Sequence, residues 1–484
     1  MTINAKLGWI YGVSIAFILL NAWLTYVGFL WLSLLPVLLL IPLLALLSPR
    51  TLVLFSVFMV PLSIFIKDVG FGLGMNLPSE PVMFGLMCLI IFKLFLSGNV
   101  SMKAIKHPIT MLVLIDLGWT LITVFTSTLP FISIKFFIAR LWFVTVFYFF
   151  LLEMFRERKN IMKFLWLFSI PLAIAIIYTL VMHYQEGFSQ HASYFVMRPF
   201  FTDHTIYAAV IALFIPIAFI FIYKGNYLGL SVWSRFFAFV LLGIFLLGIL
   251  FSYTRAGWLS LAAAAALYVM FIFKIRFITV AIPAVVLTLF FFAFKNDILY
   301  FMAKNKEESS KADIAQHVKS IYNITTDASN LERINRWRSA IRMFGDKPLF
   351  GFGPGTYPFK YAPYQASRDI TPISTNFGIG GGVHSEYLRA LAESGLPGLL
   401  TFLALIFIVF YKGIAMIYTS SRKDVKYLSL GIILGLVTYF VHAVLNNYSD
   451  MDKIAVPLWG FFAIIAALDR FHNKEEEVEL PSKD

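Results

Sequence analysis

His384 stands in the run GGVHSEYLRALAESGLPG, just ahead of a long apolar stretch, with Glu386 and Arg389 close behind it. A neutral imidazole in that position can take a proton from a hydroxyl group as general base. Arg255, in FSYTRAGWLSLAA, lies at a turn between two apolar stretches with no acid beside it in sequence. Arg198, in MRPFFTDHTIYAA, is a second isolated arginine, followed by Asp203 and His204. Arg333, Arg336 and Arg338 cluster in LERINRWRSAIRMF, where Glu332, Asn335, Ser339 and Arg342 fall at the spacing of an amphipathic helix. Guanidinium groups hold phosphate oxygens in a bidentate fork. Taken together these arginines predict an anion site, although each one alone is equally explained by anchoring to lipid headgroups. Asp116 and Arg140 are of another kind, because both fall inside apolar stretches, where an ionised group is costly and functional by default. Asp116 lies about eleven residues and Arg140 about ten from the outer ends of their stretches, which a tight turn around Pro130 joins, so both are roughly 15 Å deep at the helical rise. They are therefore expected to face each other across a helical hairpin or to share a polar cavity, and a purely structural ion pair accounts for them as well.

These residues must be positioned by membrane helices. The 484-residue chain is 60% hydrophobic and 13% charged, with mean hydropathy +0.82, whereas soluble domains carry about 25% charge. That excludes an ordinary soluble protein, a disordered chain and a disulfide scaffold. The net charge of +13 is compatible with nucleic acid but is more simply explained by positive cytoplasmic loops. Cys88 is the single cysteine and has no disulfide partner within the chain. Fourteen stretches are apolar enough to span a bilayer, near 8–25, 28–47, 51–67, 80–97, 109–127, 131–152, 161–182, 205–223, 236–252, 256–273, 277–294, 396–412, 427–445 and 454–470. The expected fold is an all-α polytopic membrane protein with about 14 transmembrane helices, 12 being the alternative. With the N-terminus inside, the inner segments hold 20 Lys and Arg and the outer short segments 6, which predicts both termini in the cytoplasm.

The chain then divides into transmembrane helices over 1–294, a long outer loop with short helices over 295–395, further spans over 396–470, and a cytoplasmic tail over 471–484. The glycine-rich run GFGPGTYP in that loop is no nucleotide site, because no Gly-Lys-Ser/Thr follows and no βαβ pattern surrounds it. Asp450 and Asp452 form a weak metal-like pair, and the sequons at Asn99, Asn323 and Asn447 are uninformative. No metal site and no cofactor is expected.

Four pieces, RPFFTDHTIYAA, SYTRAGWLSL, LERINRWRSAIRMFGDKPLFGFGPGTY and HSEYLRALAESGLPGLL, occur in this order and carry a resemblance. They resemble the O-antigen ligase and O-antigen polymerase superfamily, bacterial membrane glycosyltransferases, over about residues 195–460. The resemblance implies an active site at the periplasmic face of the inner membrane and a glycan donor on undecaprenyl diphosphate. In the ligases the acceptor is a sugar hydroxyl of lipid A-core, and in the polymerases another lipid-linked glycan. It implies that Arg255 holds the diphosphate, that Arg198 and Arg333 belong to the substrate site, and that His384 activates the acceptor hydroxyl. Asp203 and His204 replace the family's usual Pro-Asn, which leaves only the arginine of that motif as a direct match.

The resulting expectation is an inverting, metal-independent transfer from undecaprenyl diphosphate to lipid A-core, relevant to lipopolysaccharide biosynthesis. Its site comprises His384 and Arg255, with Arg198, Arg333, Arg336, Arg338, Glu386, His204 and Asp203 binding substrate. The slight preference for ligase rests on the single long outer loop. A polysaccharide polymerase of the same superfamily is the first alternative. A lipid-oligosaccharide flippase is the second, favoured by Asp116 and Arg140 but disfavoured by the absence of an internal repeat.

Overall fold

The computed structural model describes residues 3–27, 48–67, 74–97, 106–275, 328–371, 374–375 and 381–473. The expected spans at 28–47 and 277–294, the start of the long loop and most of the tail lie outside the described residues.

The described chain is mostly helical. Its main elements are α1 (Ile3–Tyr26), α2 (Pro49–Met59), α3 (Ser79–Ser97), α4 (Pro108–Phe125), α5 (Pro130–Val144), α6 (Arg158–Gln185), α7 (His204–Lys224), α8 (Val232–Leu250), α9 (Arg255–Ile272), α10 (Ala328–Asp346), α11 (Glu386–Thr419), α12 (Lys423–His442) and α13 (Asp452–Ala467). Proline occupies the first turn of α2, α4 and α5, where its missing N–H removes a donor that has no helical partner. Asp203 caps α7 by accepting from the Thr205 N–H, and Ser385 caps α11 by accepting from the Leu388 N–H.

Ten helices among the described residues are long and apolar enough to cross a membrane. They coincide with ten of the fourteen expected spans. The stretch at 51–67 is different. It forms only the 11-residue α2 and one tighter turn through Val60–Leu62, about 20 Å of helix, which is less than a bilayer core. The chain then becomes extended. Ile64–Ile66 (β1) pairs antiparallel with Met75–Leu77 (β2), so the fold is not purely α. Pro61 cannot extend the helical hydrogen-bond ladder, and the Ser63 hydroxyl is drawn to the Asp452 carboxylate instead.

Helices α7, α12 and α13 are buried on nearly all sides, whereas α3, α8, α9 and α11 turn much of their surface outward. The outward side chains include Phe95, Phe125, Trp233, Phe239 and Phe407. A soluble protein does not present so much contiguous apolar surface, and here lipid is the solvent that covers it. The segment around α10 has its own small core of Ala340, Met343, Phe352, Tyr357, Tyr361, Val383 and Ala392, packed by Trp337, Tyr364 and Leu388.

Helix α11 is bent rather than straight. Gly395 has φ 68° and ψ −171° within it, and a side chain there would run into the carbonyl of Leu349. The bend docks the glycine-rich run. Phe352 and Gly353 donate their N–H groups to the carbonyls of Ala392 and Glu393, and Leu396 donates to Pro348. On the other side, the Thr128 N–H at the α4–α5 turn donates to the Phe352 carbonyl. GFGPGTYP therefore ties the hairpin α4–α5 to α11, and its role in the fold is that of a clamp.

Candidate active site

The starts of α7, α9, α11 and α13 and the end of α12 meet at one end of the bundle. Thr254, which precedes α9, donates its hydroxyl to the His204 carbonyl at 3.4 Å, so Arg255 begins its helix beside the start of α7. The Glu386 N–H donates to the Ala443 carbonyl at 2.9 Å, tying α11 to the end of α12. Helix α10 lies over this end.

His384 lies just before α11 with φ 57°, a left-handed conformation uncommon for a residue other than glycine. Its N–H donates to Asn447 Oδ1 at 2.9 Å, and its carbonyl accepts from Trp337 Nε1 at 3.0 Å. Gly382 makes this possible, because a Cβ there would come within 2.5 Å of Asn447 Oδ1. Burial first, and then the charges of Arg336 and Arg333, push the His384 imidazole down from 6.5 to about 4. It is therefore a neutral base at physiological pH.

Arg333 and Asp203 act electrostatically on His204, His384, His442 and Tyr448, so α7, α10, α11 and α12 converge on one polar region. His204 lies against the Tyr194 ring, with centroids 4.7 Å apart, and its Nδ1 is 3.9 Å from Asp203 Oδ2. Arg198 and Arg255 are exposed at the same end.

Arg336, Arg338 and Glu386 are held by protein partners. Arg336 is buried; its Nε donates to Glu332 Oε1 at 2.7 Å, its Nη1 to the Gly382 carbonyl at 3.0 Å, and its plane lies 5.3 Å from the Tyr361 ring centroid. Arg338 pairs with Asp369, which also accepts from Arg342 Nη2 at 2.7 Å. These guanidinium groups hold the Asp369 carboxyl below its usual range. Glu386 is buried; it accepts from Arg389 Nη2 at 2.6 Å, from the Ser449 N–H at 2.6 Å and from the Tyr439 hydroxyl at 3.1 Å. The polar stripe of α10 thus faces inward, with Glu332, Asn335, Arg336 and Ser339 all buried and Ile341 exposed. Glu332, Arg336, Ser339 and the Asn335 amide nitrogen have hydrogen-bond partners there, as buried groups usually do, whereas Asn335 Oδ1 has none among the described residues.

Arg140 Nη2 lies 2.5 Å from Asp116 Oδ2, and Thr401 donates to the other Asp116 oxygen at 3.4 Å. The pair lines a cavity of about 40 Å³ with Arg389, Glu386 and Glu393. That is room for a few waters and not for a sugar. Asp450 reaches into the same network by pairing with Arg389. Asp452 accepts from Ser63 and Ser79, each at 2.8 Å. The two aspartates of the metal-like pair therefore point to different partners, and no group of three or more metal-ligating side chains occurs among the described residues.

Residues 237–403 match the model of the family described as O-antigen ligase. The resemblance to the O-antigen ligase superfamily holds for this stretch, which carries Arg255, Arg333, Arg336, Arg338, His384 and Glu386. An uncharacterized protein of Haemophilus influenzae (strain ATCC 51907 / DSM 11121 / KW20 / Rd) is 25% identical over 205 residues, 41% of this chain and 49% of that protein. The chain thus spans about half the length of that relative. Asp203, His204, Asp116 and Arg140 lie outside the O-antigen ligase match, and the fold brings the first two to it.

Sequence reasoning missed Asn446, Asn447, Tyr448 and His442. The available signal was the polar run LNNYSDMD between two apolar stretches, read there only as a sequon and an acidic pair. Neither ring nitrogen of buried His442 has a hydrogen-bond partner among the described residues.

Proposed function

We propose that this multi-pass membrane protein is a glycosyltransferase of the O-antigen ligase type. It moves a glycan from undecaprenyl diphosphate to a sugar hydroxyl of lipid A-core at the periplasmic face of the inner membrane, with both termini in the cytoplasm. The observation that carries the reading is His384. It is neutral, fixed by main-chain contacts on both sides, and set beside arginines within the O-antigen ligase match.

In this reading a ring nitrogen of His384 accepts the proton of the attacking hydroxyl as the oxygen–carbon bond forms at the anomeric centre. The glycosyl–phosphate bond breaks, and its electron pair leaves on the diphosphate. The leaving group is already a stable anion, so it needs positive charge more than a proton. In this reading Arg255, at the start of α9, Arg198, in the turn before α7, and Arg333, in the polar region, supply it. Direct attack inverts the anomeric centre. Arg336, Arg338 and Glu386 serve the site by holding the α10 segment and the start of α11 in place.

The test is transfer by purified protein from a defined undecaprenyl-diphosphate glycan to lipid A-core. His384→Ala and Arg255→Ala are expected to abolish transfer while the protein stays folded, and full activity in either refutes that residue's role. Use of a second lipid-linked glycan as the acceptor would indicate a polymerase. The buried network of Asp116, Arg140, Arg389 and Asp450 is the observation that favours a transporter. Transfer in detergent, where nothing is transported, excludes that reading.

A further inference from the structure

We infer that Tyr253 is a positioning residue for Arg255: it clasps the turn that starts α9 to the turn that follows α6, and so fixes where the arginine meets the donor diphosphate. The inference rests on the reading of Arg255 as a group that holds that diphosphate.

Two bulky residues take a left-handed backbone here, Phe188 with φ 53° and Tyr253 with φ 51°. Such values are uncommon outside glycine, and a large side chain makes them more so. The two residues are joined to each other. The Tyr253 hydroxyl donates to the Phe188 carbonyl at 2.8 Å, across 65 positions of chain. The Phe188 ring stacks on Phe251, with centroids 4.3 Å and planes 27° apart. His183, buried in the last turn of α6, lies against the same group. Its Nε2 donates to the Ser189 carbonyl at 2.9 Å, and its ring is 5.4, 6.0 and 6.2 Å from those of Phe188, Phe251 and Tyr253.

The turn is held from below as well. Ser252 and Thr254 are buried, whereas Tyr253 and Arg255 are exposed. The Ser252 hydroxyl donates to the Ile249 carbonyl at 2.7 Å and accepts from the Thr254 N–H at 3.3 Å. The Thr254 carbonyl in turn accepts the N–H groups of Gly257 at 3.1 Å and Trp258 at 3.4 Å, the first turn of α9. Arg255 follows Thr254 directly, so its main chain cannot shift unless this clasp opens. A long guanidinium side chain has many rotamers, and a fixed root is what limits where its head can reach. An exposed tyrosine at a membrane interface is otherwise an anchor to headgroups. An anchor needs neither a left-handed backbone nor a bond to a second turn, and Tyr253 has both.

The test uses the full chain in detergent and the binding of undecaprenyl diphosphate, the leaving group itself, to wild type, Tyr253→Phe, Arg255→Gln and the double variant. Tyr253→Phe removes one hydroxyl and is expected to weaken binding about 3–10-fold. Arg255→Gln is expected to weaken it about 10–100-fold. The double variant is expected to bind no more weakly than Arg255→Gln, because the tyrosine acts through the arginine. Losses that multiply, or no loss in Tyr253→Phe, overturn the inference. A second readout needs no ligand. In Tyr253→Phe, amide hydrogen exchange is expected to quicken at Phe188 and at Gly257 and Trp258 together, with the melting midpoint unchanged; unchanged exchange at these amides overturns the inference. Phe188→Leu opens the clasp from its other side, is expected to show the same pattern, and carries the test if Tyr253→Phe does not fold. If Arg255→Gln binds undecaprenyl diphosphate as tightly as wild type, the diphosphate reading of Arg255 fails, and hydrogen exchange still decides whether Tyr253 fixes the root of that arginine.

Discussion

Replacing Arg333 by Gln tests whether the arginines of α10 set the chemistry of His384. The imidazole is pushed from 6.5 to about 4, a preference for the neutral form of about 3 kcal/mol. Burial is the largest cause, Arg336 the next and Arg333 the third. Losing Arg333 alone should therefore return a minor share, about 0.5–1 unit upward. The sign follows from the group. A histidine with a depressed value stays neutral, and competent as a base, down to the depressed value and loses competence below it. In wild type kcat/KM, which reports the free enzyme, should hold through pH 6 and fall only as pH approaches 4. In Arg333→Gln the acid limb should move toward 6.5. The profile of kcat should differ from that of kcat/KM even in wild type. A bound diphosphate brings negative charge beside the arginines, offsets their effect and makes His384 a stronger base in the complex. The assay is the pH dependence of initial transfer rates at low and saturating donor. A wild-type kcat/KM limb at 6.5 or above, unmoved by Arg333→Gln, would refute the reasoning.

Three further outcomes are expected. Asp116→Asn leaves the Arg140 guanidinium buried without its counter-charge and should destabilise the protein by about 3–5 kcal/mol, visible as a lower melting midpoint, with Asp116→Asn/Arg140→Gln recovering part of the loss. Gly382→Ala places a Cβ about 2.5 Å from Asn447 Oδ1, so it should displace the His384 main chain and cost about 10–100-fold in kcat with little change in melting. Chelator should leave transfer unchanged, because Asp450 is paired with Arg389 and Asp452 with Ser63 and Ser79; restoration by added divalent cation after chelation would overturn that.

Helix placement was legible because a membrane span leaves a local signature. About 20 apolar residues suffice to mark one, and ten such stretches reappear as long helices. The exception at 51–67 shows the limit of that signature. Hydropathy alone does not distinguish a spanning helix from a short helix followed by an extended strand, and the outcome there follows Pro61 and the attraction of Ser63 to Asp452, 389 positions away. The amphipathic spacing of α10 was legible too, but not which face is inward. Its polar stripe is buried because Gly382, Thr371, Ser374 and Gln365 offer it hydrogen-bond partners and the tyrosines of its own small core cover it.

The sequence by itself determined that this chain lives in a bilayer, that its unusual charges are few, and that His384 and Arg255 lie in a stretch resembling the O-antigen ligases. Those properties depend on residue type and near neighbours. Only the tertiary structure decided that Arg336, Arg338 and Arg389 are paired with carboxylates and that Arg198 and Arg255 have exposed positions. It also decided that Asn447 holds the His384 main chain and that Tyr448 joins Asn446 to Thr205 and Asp203 in the same region. That convergence follows from antiparallel helices whose ends meet at one edge of the bundle. Residues more than 200 positions apart become hydrogen-bonded partners there, and no local pattern records such a pairing.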